Sequence, residues 1–290
     1  MLTRRLRFEL IYQRSFNQSD EVEARRVGHA CGTGDWGYGR LREEAEAGAA
    51  PQRRAFGTPY ESVTFSTATR SRCELTVTLA SQPVFDLASS TPISQRLRRT
   101  IRRCGERSLF ERKTLEVDDL KQIDVLTIEH GLRLLRLGPG DSGIVPAFWR
   151  TFAAGRGSYA LLCAASQHSA EPGSLLVEVF GGIEHAPVEV IDDALAHFQT
   201  QTRGVVLHVA PDIDAARRLN GVRAHCLAID FAGVAHETVR DWLSAAELVA
   251  AARQICSQLL LVNLRPDRAL PAQAAGATHA VFSTLEPRTL

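Results

Sequence analysis

From residue 144 onward the chain repeats one unit, a short apolar strand followed by an amphipathic helix. The strands are almost continuously apolar, which indicates that both of their faces are buried. They are predicted at 144–149, 174–180, 204–209, 225–231, 258–263 and 279–283. The helices are predicted at 157–166, 188–201, 213–219 and 238–255, with a short helix from Pro266. This order favours an α/β fold, a TIM-like (β/α) barrel rather than an open sheet.

The segment before this repeat contains elements of a different kind. Residues 74–79 alternate in polarity and 83–87 form an apolar run, which predicts a strand or a strand pair. The arginine-rich stretch 92–108 has spacing compatible with a helix. A stronger amphipathic helix is predicted at 118–137, where Gly138-Pro-Gly140 ends it.

Residues 1–70 are rich in glycine, small residues and charges. Such a segment buries too little apolar surface to offset the entropy lost on ordering. We therefore expect two regions, a poorly ordered and irregular N-terminal extension over 1–70 and a barrel domain over 71–290.

Composition excludes several classes of protein. The 34 basic and 33 acidic residues give a formal charge of +1, so no nucleic-acid partner is expected. The sequence has no apolar run near the roughly 20 residues that span a bilayer and no signal-peptide core, so we expect a cytoplasmic protein without a membrane partner. The six cysteines form no CxxC pair or Cys/His cluster, so neither a metal nor any other cofactor is predicted.

Three short segments carry a resemblance to a known family. Gln82-Pro-Val-Phe-Asp-Leu87 resembles the opening strand of EAL domains, the barrel phosphodiesterases that hydrolyse the bacterial messenger cyclic di-GMP. Residues 174–179 are similar to the strand in which a family glutamate, here Glu178, binds metal. Ala228-Ile-Asp230 stands where the family has Lys-Ile-Asp. The resemblance covers about 75–285 and implies an EAL-type barrel whose first strand runs antiparallel to the others.

The same resemblance implies that the domain is degenerate. Ser94-Gln-Arg-Leu-Arg98 replaces the Glu-Ala-Leu signature, and the metal-binding asparagine falls near Ala147 or Phe148. The other family positions are taken by His208-Val-Ala210, Ala228 and Val262-Asn-Leu-Arg265. Glu178 and Asp230 are the only acids left at matching positions. Two carboxylates on separate strands cannot hold the two divalent ions that this hydrolysis uses, so we expect no phosphodiesterase activity and no catalytic residues.

Two groups of residues are candidates for a functional site. Glu178, His208 and Asp230 are expected near the carboxyl end of the barrel as a vestigial site. The favoured interpretation is a polar cluster in which Glu178 pairs with His208 or an arginine; the other is a site in which His208 acts as a general base. The second group consists of arginines on the predicted helix. They are candidates for binding phosphate or a partner, and the alternative is a solvent-exposed helix face without a binding role. The arginines are Arg98, Arg99, Arg102 and Arg103.

Three functional hypotheses follow. The leading one is an inactive EAL-like domain that serves as a binding or scaffold module in bacterial signalling, with a protein partner. The second is a receptor that binds cyclic di-GMP without hydrolysing it. The third is a barrel enzyme of different chemistry that uses Glu178, His208 and Asp230.

Overall fold

A computed structural model describes residues 61–104, 115–138, 140–168, 172–236 and 238–283. It contains nine strands in one sheet, arranged in chain order. These are β1 (Ser62–Ala68), β2 (Glu74–Asp86), β3 (Pro92–Arg103), β4 (Gly143–Phe148), β5 (Leu175–Phe180), β6 (Gly204–Val209), β7 (Cys226–Asp230), β8 (Leu259–Leu264) and β9 (His279–Phe282).

The sheet closes into an eight-stranded barrel because β2 also pairs with β9. Strands β3 to β9 run parallel to one another, and β2 is antiparallel to both of its barrel neighbours. The predicted barrel with an antiparallel first strand is therefore confirmed. β1 lies outside the closed barrel and pairs antiparallel with the first half of β2.

Helices connect the parallel strands and cover the outside of the barrel. They are α1 (Val117–Leu135), α2 (Trp149–Phe152), α3 (Gly155–His168), α4 (Val188–Gln199), α5 (Ile213–Arg217), α6 (Val239–Ile255) and α7 (Ala269–Ala275). Short 3₁₀ turns lie at Pro172–Ser174, Ile183–His185 and Pro266–Arg268. No helix in the described part of the chain is long and apolar enough to cross a bilayer.

Along each barrel strand, successive side chains point alternately toward the helices and toward the barrel interior. On β5, for example, Leu175, Val177 and Val179 belong to the core that packs against the helices. Leu176 and Glu178 are also buried and take the intervening positions, which face the interior. The helix-facing core is tight where α1 crosses β3, since a Cβ on Gly131 would lie 2.5 Å from Leu97 Cδ1.

The helix predicted at 92–108 is wrong, because Pro92–Arg103 forms β3. Ile93, Leu97 and Ile101 recur every four residues, a spacing that fits a helix and also fits one face of a strand. The neighbouring β2 decides between them, since it supplies a long antiparallel ladder of hydrogen bonds to β3. Residues 105–108 of the predicted helix lie outside the described residues.

The structure also decides one alternative and corrects one boundary. The two apolar runs at 74–79 and 83–87 belong to one continuous strand, β2, which is the first of the two predicted alternatives. Ser62–Ala68 were expected to belong to the poorly ordered extension, but they form β1. Phe65 explains the difference, because it buries its side chain on the barrel domain. The rest of that expectation, residues 1–60, lies outside the described residues.

Candidate functional site

Glu178 is at the centre of a buried polar cluster inside the barrel. Its side chain is 0% exposed, and Arg96 reaches it from β3, across the intervening strand β4. Arg96 Nε donates to Glu178 Oε2 at 2.7 Å, and Arg96 Nη2 donates to Oε1 at 2.9 Å. This is a bidentate guanidinium–carboxylate pair, the geometry that gives such pairs their strength and direction.

Two more side chains complete the cluster. His208 on β6 places its Nδ1 2.7 Å from Glu178 Oε1. Gln82 on β2, which stands opposite Arg96 in the β2–β3 ladder, accepts a hydrogen bond from Arg96 Nη1 at 3.1 Å. Four strands thus contribute one residue each, and the predicted pairing of Glu178 with His208 and with an arginine is present.

Strand register explains why Asp230 does not join this cluster. Glu178 pairs with Val206, so His208 lies one inward-facing position nearer the carboxyl end of the barrel. Asp230 lies one inward-facing position nearer the carboxyl end than the β7 residue that pairs with His208, and it therefore lies at the rim of the barrel. There it accepts hydrogen bonds from Asn263 Nδ2 at 2.7 Å and from the Ala232 amide at 2.8 Å.

The surroundings of Glu178 keep its carboxyl group ionised. Burial acts to raise its pKa, but the charge of Arg96 and the hydrogen bond from His208 outweigh burial and lower the pKa to about 2. A group with this pKa cannot exchange protons efficiently near neutral pH. Glu178 is therefore unsuited to act as a general acid or base.

His208 has one nitrogen left for other chemistry. Because an ionised carboxylate only accepts hydrogen bonds, the Nδ1 atom of His208 carries a proton and its Nε2 atom is free to accept or donate. The His208 side chain is 18% exposed, whereas Glu178 has no exposure. Among the described residues, no hydroxyl or thiol bonds to this ring, so the pair lacks the nucleophile of a catalytic triad.

The donor set around Glu178 does not fit the divalent metals that EAL catalysis requires. Both carboxylate oxygens already accept hydrogen bonds from Arg96, and a guanidinium in that position repels a second cation. Metal sites of this type need several oxygen ligands that converge on one point. Within the described ranges, no three His, Cys, Asp or Glu side chains are grouped so that they could hold a metal ion.

The four arginines proposed for phosphate or partner binding do not share one face. Alternation along β3 separates them. Arg98 and Arg102 are exposed on the side of β3 away from α1, and Arg103 is exposed at the end of the strand. Arg99 points the other way and is only 2% exposed.

Arg99 forms a second buried ion pair, with Asp124 on α1. Arg99 Nη1 donates to Asp124 Oδ1 at 2.6 Å and to Thr127 Oγ1 at 3.0 Å. The other oxygen of Asp124 accepts from the amide of Phe148 at 3.1 Å, at the end of β4. Burial raises the pKa of the Asp124 carboxyl, and the adjacent Arg99 charge opposes that shift. Asp124 thus links α1 to β3 and β4, and Arg99 does not face solvent.

Sequence reasoning missed the role of Arg96. It lies in Ser94–Arg98, the segment that the resemblance aligns with the Glu-Ala-Leu signature, and it pairs with Glu178. An arginine in this segment and a buried acid on a nearby strand were the available signal for an internal ion pair. Asp124 carried no such signal, because it lies in an amphipathic helix, where charged residues are ordinarily exposed.

The closed barrel and its antiparallel first strand define the class of fold, which is the EAL-type barrel. Solved EAL domains share this architecture. The FimX EAL domain of Pseudomonas aeruginosa bound to c-di-GMP matches with a TM-score of 0.56 and 15% identity, covering 72% of this chain and 88% of that chain. The FimX EAL domain of Xanthomonas citri in complex with c-diGMP gives 0.54 and 14%, with coverages of 71% and 85%.

An EAL domain protein from Listeria monocytogenes matches with a TM-score of 0.53 and 11% identity, covering 70% of this chain and 85% of that chain. No protein-family model matches the sequence, and no curated protein matches it. At these identities the likeness concerns the fold, and the chemistry has to be argued from the residues at the site.

Proposed function

We propose that this barrel is a catalytically inactive EAL-type domain that acts as a binding or scaffold module in bacterial cyclic di-GMP signalling. One observation carries the proposal: a guanidinium occupies both oxygens of the only family metal ligand that remains inside the barrel. Arg96 supplies permanently the positive charge that a divalent ion would otherwise bring to Glu178.

A fixed guanidinium differs from a metal ion in what it can do. It neutralises and orients Glu178, but it cannot bind a water molecule and lower the pKa of that water as a divalent cation does. The rim acid Asp230 lies outside the cluster, where its Oδ1 atom accepts from Asn263 and the Ala232 amide, so the second acid left at a family position does not join Glu178. The barrel keeps the shape of the enzyme and replaces its reactive centre with a self-contained ion pair.

A receptor for cyclic di-GMP is the second candidate. Two of the similar EAL domains are complexes with this nucleotide, which supports a ligand of the same kind for this barrel. His208 is the member of the cluster nearest the carboxyl end, and it is partly exposed. Its Nε2 atom can therefore bond a ligand without disturbing the buried pair.

Calorimetric titration with cyclic di-GMP, with and without Mg²⁺, separates the two candidates. A receptor binds the nucleotide in the absence of metal, and His208→Ala weakens that binding. A scaffold gives no heat of binding. The matched control is His197→Ala, an exposed histidine on α4, which should leave the titration unchanged.

Mg²⁺ dependence is the result that would overturn the proposal. If binding requires Mg²⁺ and is lost in Glu178→Gln, then Glu178 is a metal ligand and the Arg96 pair is not permanent. Titration with Mn²⁺ alone provides an independent check, since the proposal predicts no Mn²⁺ bound at Glu178.

A further inference from the structure

The most exposed aliphatic side chains in the described part of the chain lie on two neighbouring helices. Val239 and Leu243 on α6 are 75% and 61% exposed, and Leu270 on α7 is 76% exposed. The helices are in contact, since Arg268 at the start of α7 lies over the Trp242 ring of α6, 6.0 Å from its centroid. Exposed apolar side chains that are grouped in this way mark an interaction surface, whereas single ones do not.

The outer face of α6 is the face turned away from the barrel. The buried side of the helix carries small and aliphatic residues, which are Ala245, Leu248, Val249 and Ala252. With 3.6 residues per turn, the residues on the opposite side form one stripe, and all of them are exposed. They are Val239, Arg240, Leu243, Glu247, Ala250 and Gln254. This outer face therefore has an apolar residue, Leu243, between a basic and an acidic one.

The two charges on this face are available to a partner. Neither Arg240 nor Glu247 forms an ion pair with another described residue. The acid next to Arg240 is held elsewhere, because Asp241 accepts a hydrogen bond from the Thr238 hydroxyl at 2.6 Å. Arg240 and Glu247 are two helical turns apart, about 10 Å along the axis, so they do not neutralise each other.

We propose that the outer face of α6 packs antiparallel against the same face of α6 in a second copy of this chain. The two-fold axis passes between Leu243 and Ser244. Arg240 of each copy then lies opposite Glu247 of the other, and the two Leu243 side chains meet at the axis. The interface is isologous, so it closes on itself and produces a dimer.

Charge complementarity selects both the direction and the occupant. In a parallel arrangement of two α6 helices, Arg240 would meet Arg240 and Glu247 would meet Glu247, which is repulsive. In the antiparallel arrangement each of these charges meets its opposite, so the face is complementary to itself. Leu270 on the adjoining α7 extends the apolar surface beside Leu243. None of these residues belongs to the cluster around Glu178, so the proposal does not depend on the proposed function.

Charge reversal in the full chain tests the proposal. In analytical ultracentrifugation the wild type should sediment with twice the chain mass of 31.8 kDa. Arg240→Glu and Glu247→Arg each place like charges at both symmetric contacts, so each should weaken the dimer about tenfold or more. The double variant Arg240→Glu/Glu247→Arg restores both ion pairs in the opposite sense and should recover the dimer. Glu189→Arg, at an exposed position of α4, is the matched control and should remain dimeric.

Cross-linking tests the register independently of affinity. Leu243→Cys places two thiols beside the two-fold axis, so a short bis-maleimide should join the two copies. Val190→Cys, at an exposed position of α4, is the matched control and should give no more covalent dimer than the wild type. A monomeric wild type, a double charge variant as weak as the single ones, or equal cross-linking of the two cysteine variants would each overturn the proposal.

Discussion

Arg96 and Arg99 lie three residues apart on β3, and each holds a carboxylate that is fully buried. Arg96 points into the barrel, where its partner Glu178 also bonds to the partly exposed His208. Arg99 points to the outside of the barrel and is enclosed by α1 and the end of β4. Two arginine–carboxylate pairs that start from one strand thus serve different purposes. The Arg96 pair forms the candidate site, and the Arg99 pair stabilises the packing of α1 on the barrel.

Surroundings account for the difference. Arg99 lies 4.1 Å from the centroid of the Phe148 ring, and its only ionic partner among the described residues is Asp124. Removing that partner leaves a charge with almost no access to water. Arg96 has Gln82 as a second acceptor and a side chain that is 10% exposed, so it retains some solvation when Glu178 is lost.

The largest expected effect is that of Asp124→Ala. It leaves Arg99 buried without a countercharge and the Phe148 amide without an acceptor. We expect a loss of about 4 kcal/mol in the free energy of unfolding, measured by urea denaturation. Removal of both charges in Arg99→Met/Asp124→Leu should cost about 1 kcal/mol or less, because no group is then left unpaired. Equal losses in the single and the double variant would show that the pair is not the cause.

Glu178→Ala should be the next most costly change. It leaves Arg96 and His208 without their common acceptor, and we expect a loss of about 3 kcal/mol, smaller than at Asp124 because Arg96 is closer to solvent. Glu178→Gln, which keeps the shape and one acceptor, should lose less. A Glu178→Ala variant as stable as the wild type would contradict the buried pair.

Acid titration provides a smaller effect specific to Glu178. Its pKa in the folded protein is about 2, below the ordinary value of 4.5, so its ionised form stabilises the fold above pH 4.5. This contribution is lost as the pH falls from 4.5 to 2. By pH 3 the wild type should have lost about 2 kcal/mol more than Glu178→Gln, a difference that urea denaturation across this pH range measures. Parallel curves for the two proteins would indicate that Glu178 has an ordinary pKa.

The exposed arginines should have the smallest effect. Arg98→Ala and Arg102→Ala, on the face of β3 away from α1, should each change the free energy of unfolding by about 0.5 kcal/mol or less. Arg99→Ala on the same strand should cost several times more, because it leaves Asp124 unpaired. Thermal denaturation of the three variants side by side measures the contrast. Similar losses in all three would mean that strand alternation does not distinguish these side chains.

The sequence predicted the second half of the barrel well, because continuously apolar strands and amphipathic helices each have a clear period. The predicted strand at 204–209 coincides with β6, and the helix predicted at 118–137 is close to α1. β3 was missed because its apolar residues recur every four positions, which suits either structure. Only the partner strand β2 could settle that choice.

The site was predicted in part for a related reason. The pairing of Glu178 with His208 follows from strand order and from the cost of burying an unpaired acid. The partner arginine was not assigned, since the segment that contains it was expected to form a helix. The separation of Asp230 depends on a register difference between neighbouring strands, which no local pattern in the sequence reveals.

Incubation of the purified protein with cyclic di-GMP and Mg²⁺ or Mn²⁺, followed by chromatography of the nucleotides, tests the central claim most directly. If the Arg96 guanidinium has taken the place of the metal at Glu178, no linear dinucleotide should be released with either ion. Metal-dependent release of the linear product that disappears in Glu178→Gln would contradict the account, because it would show that Glu178 exchanges Arg96 for a catalytic metal.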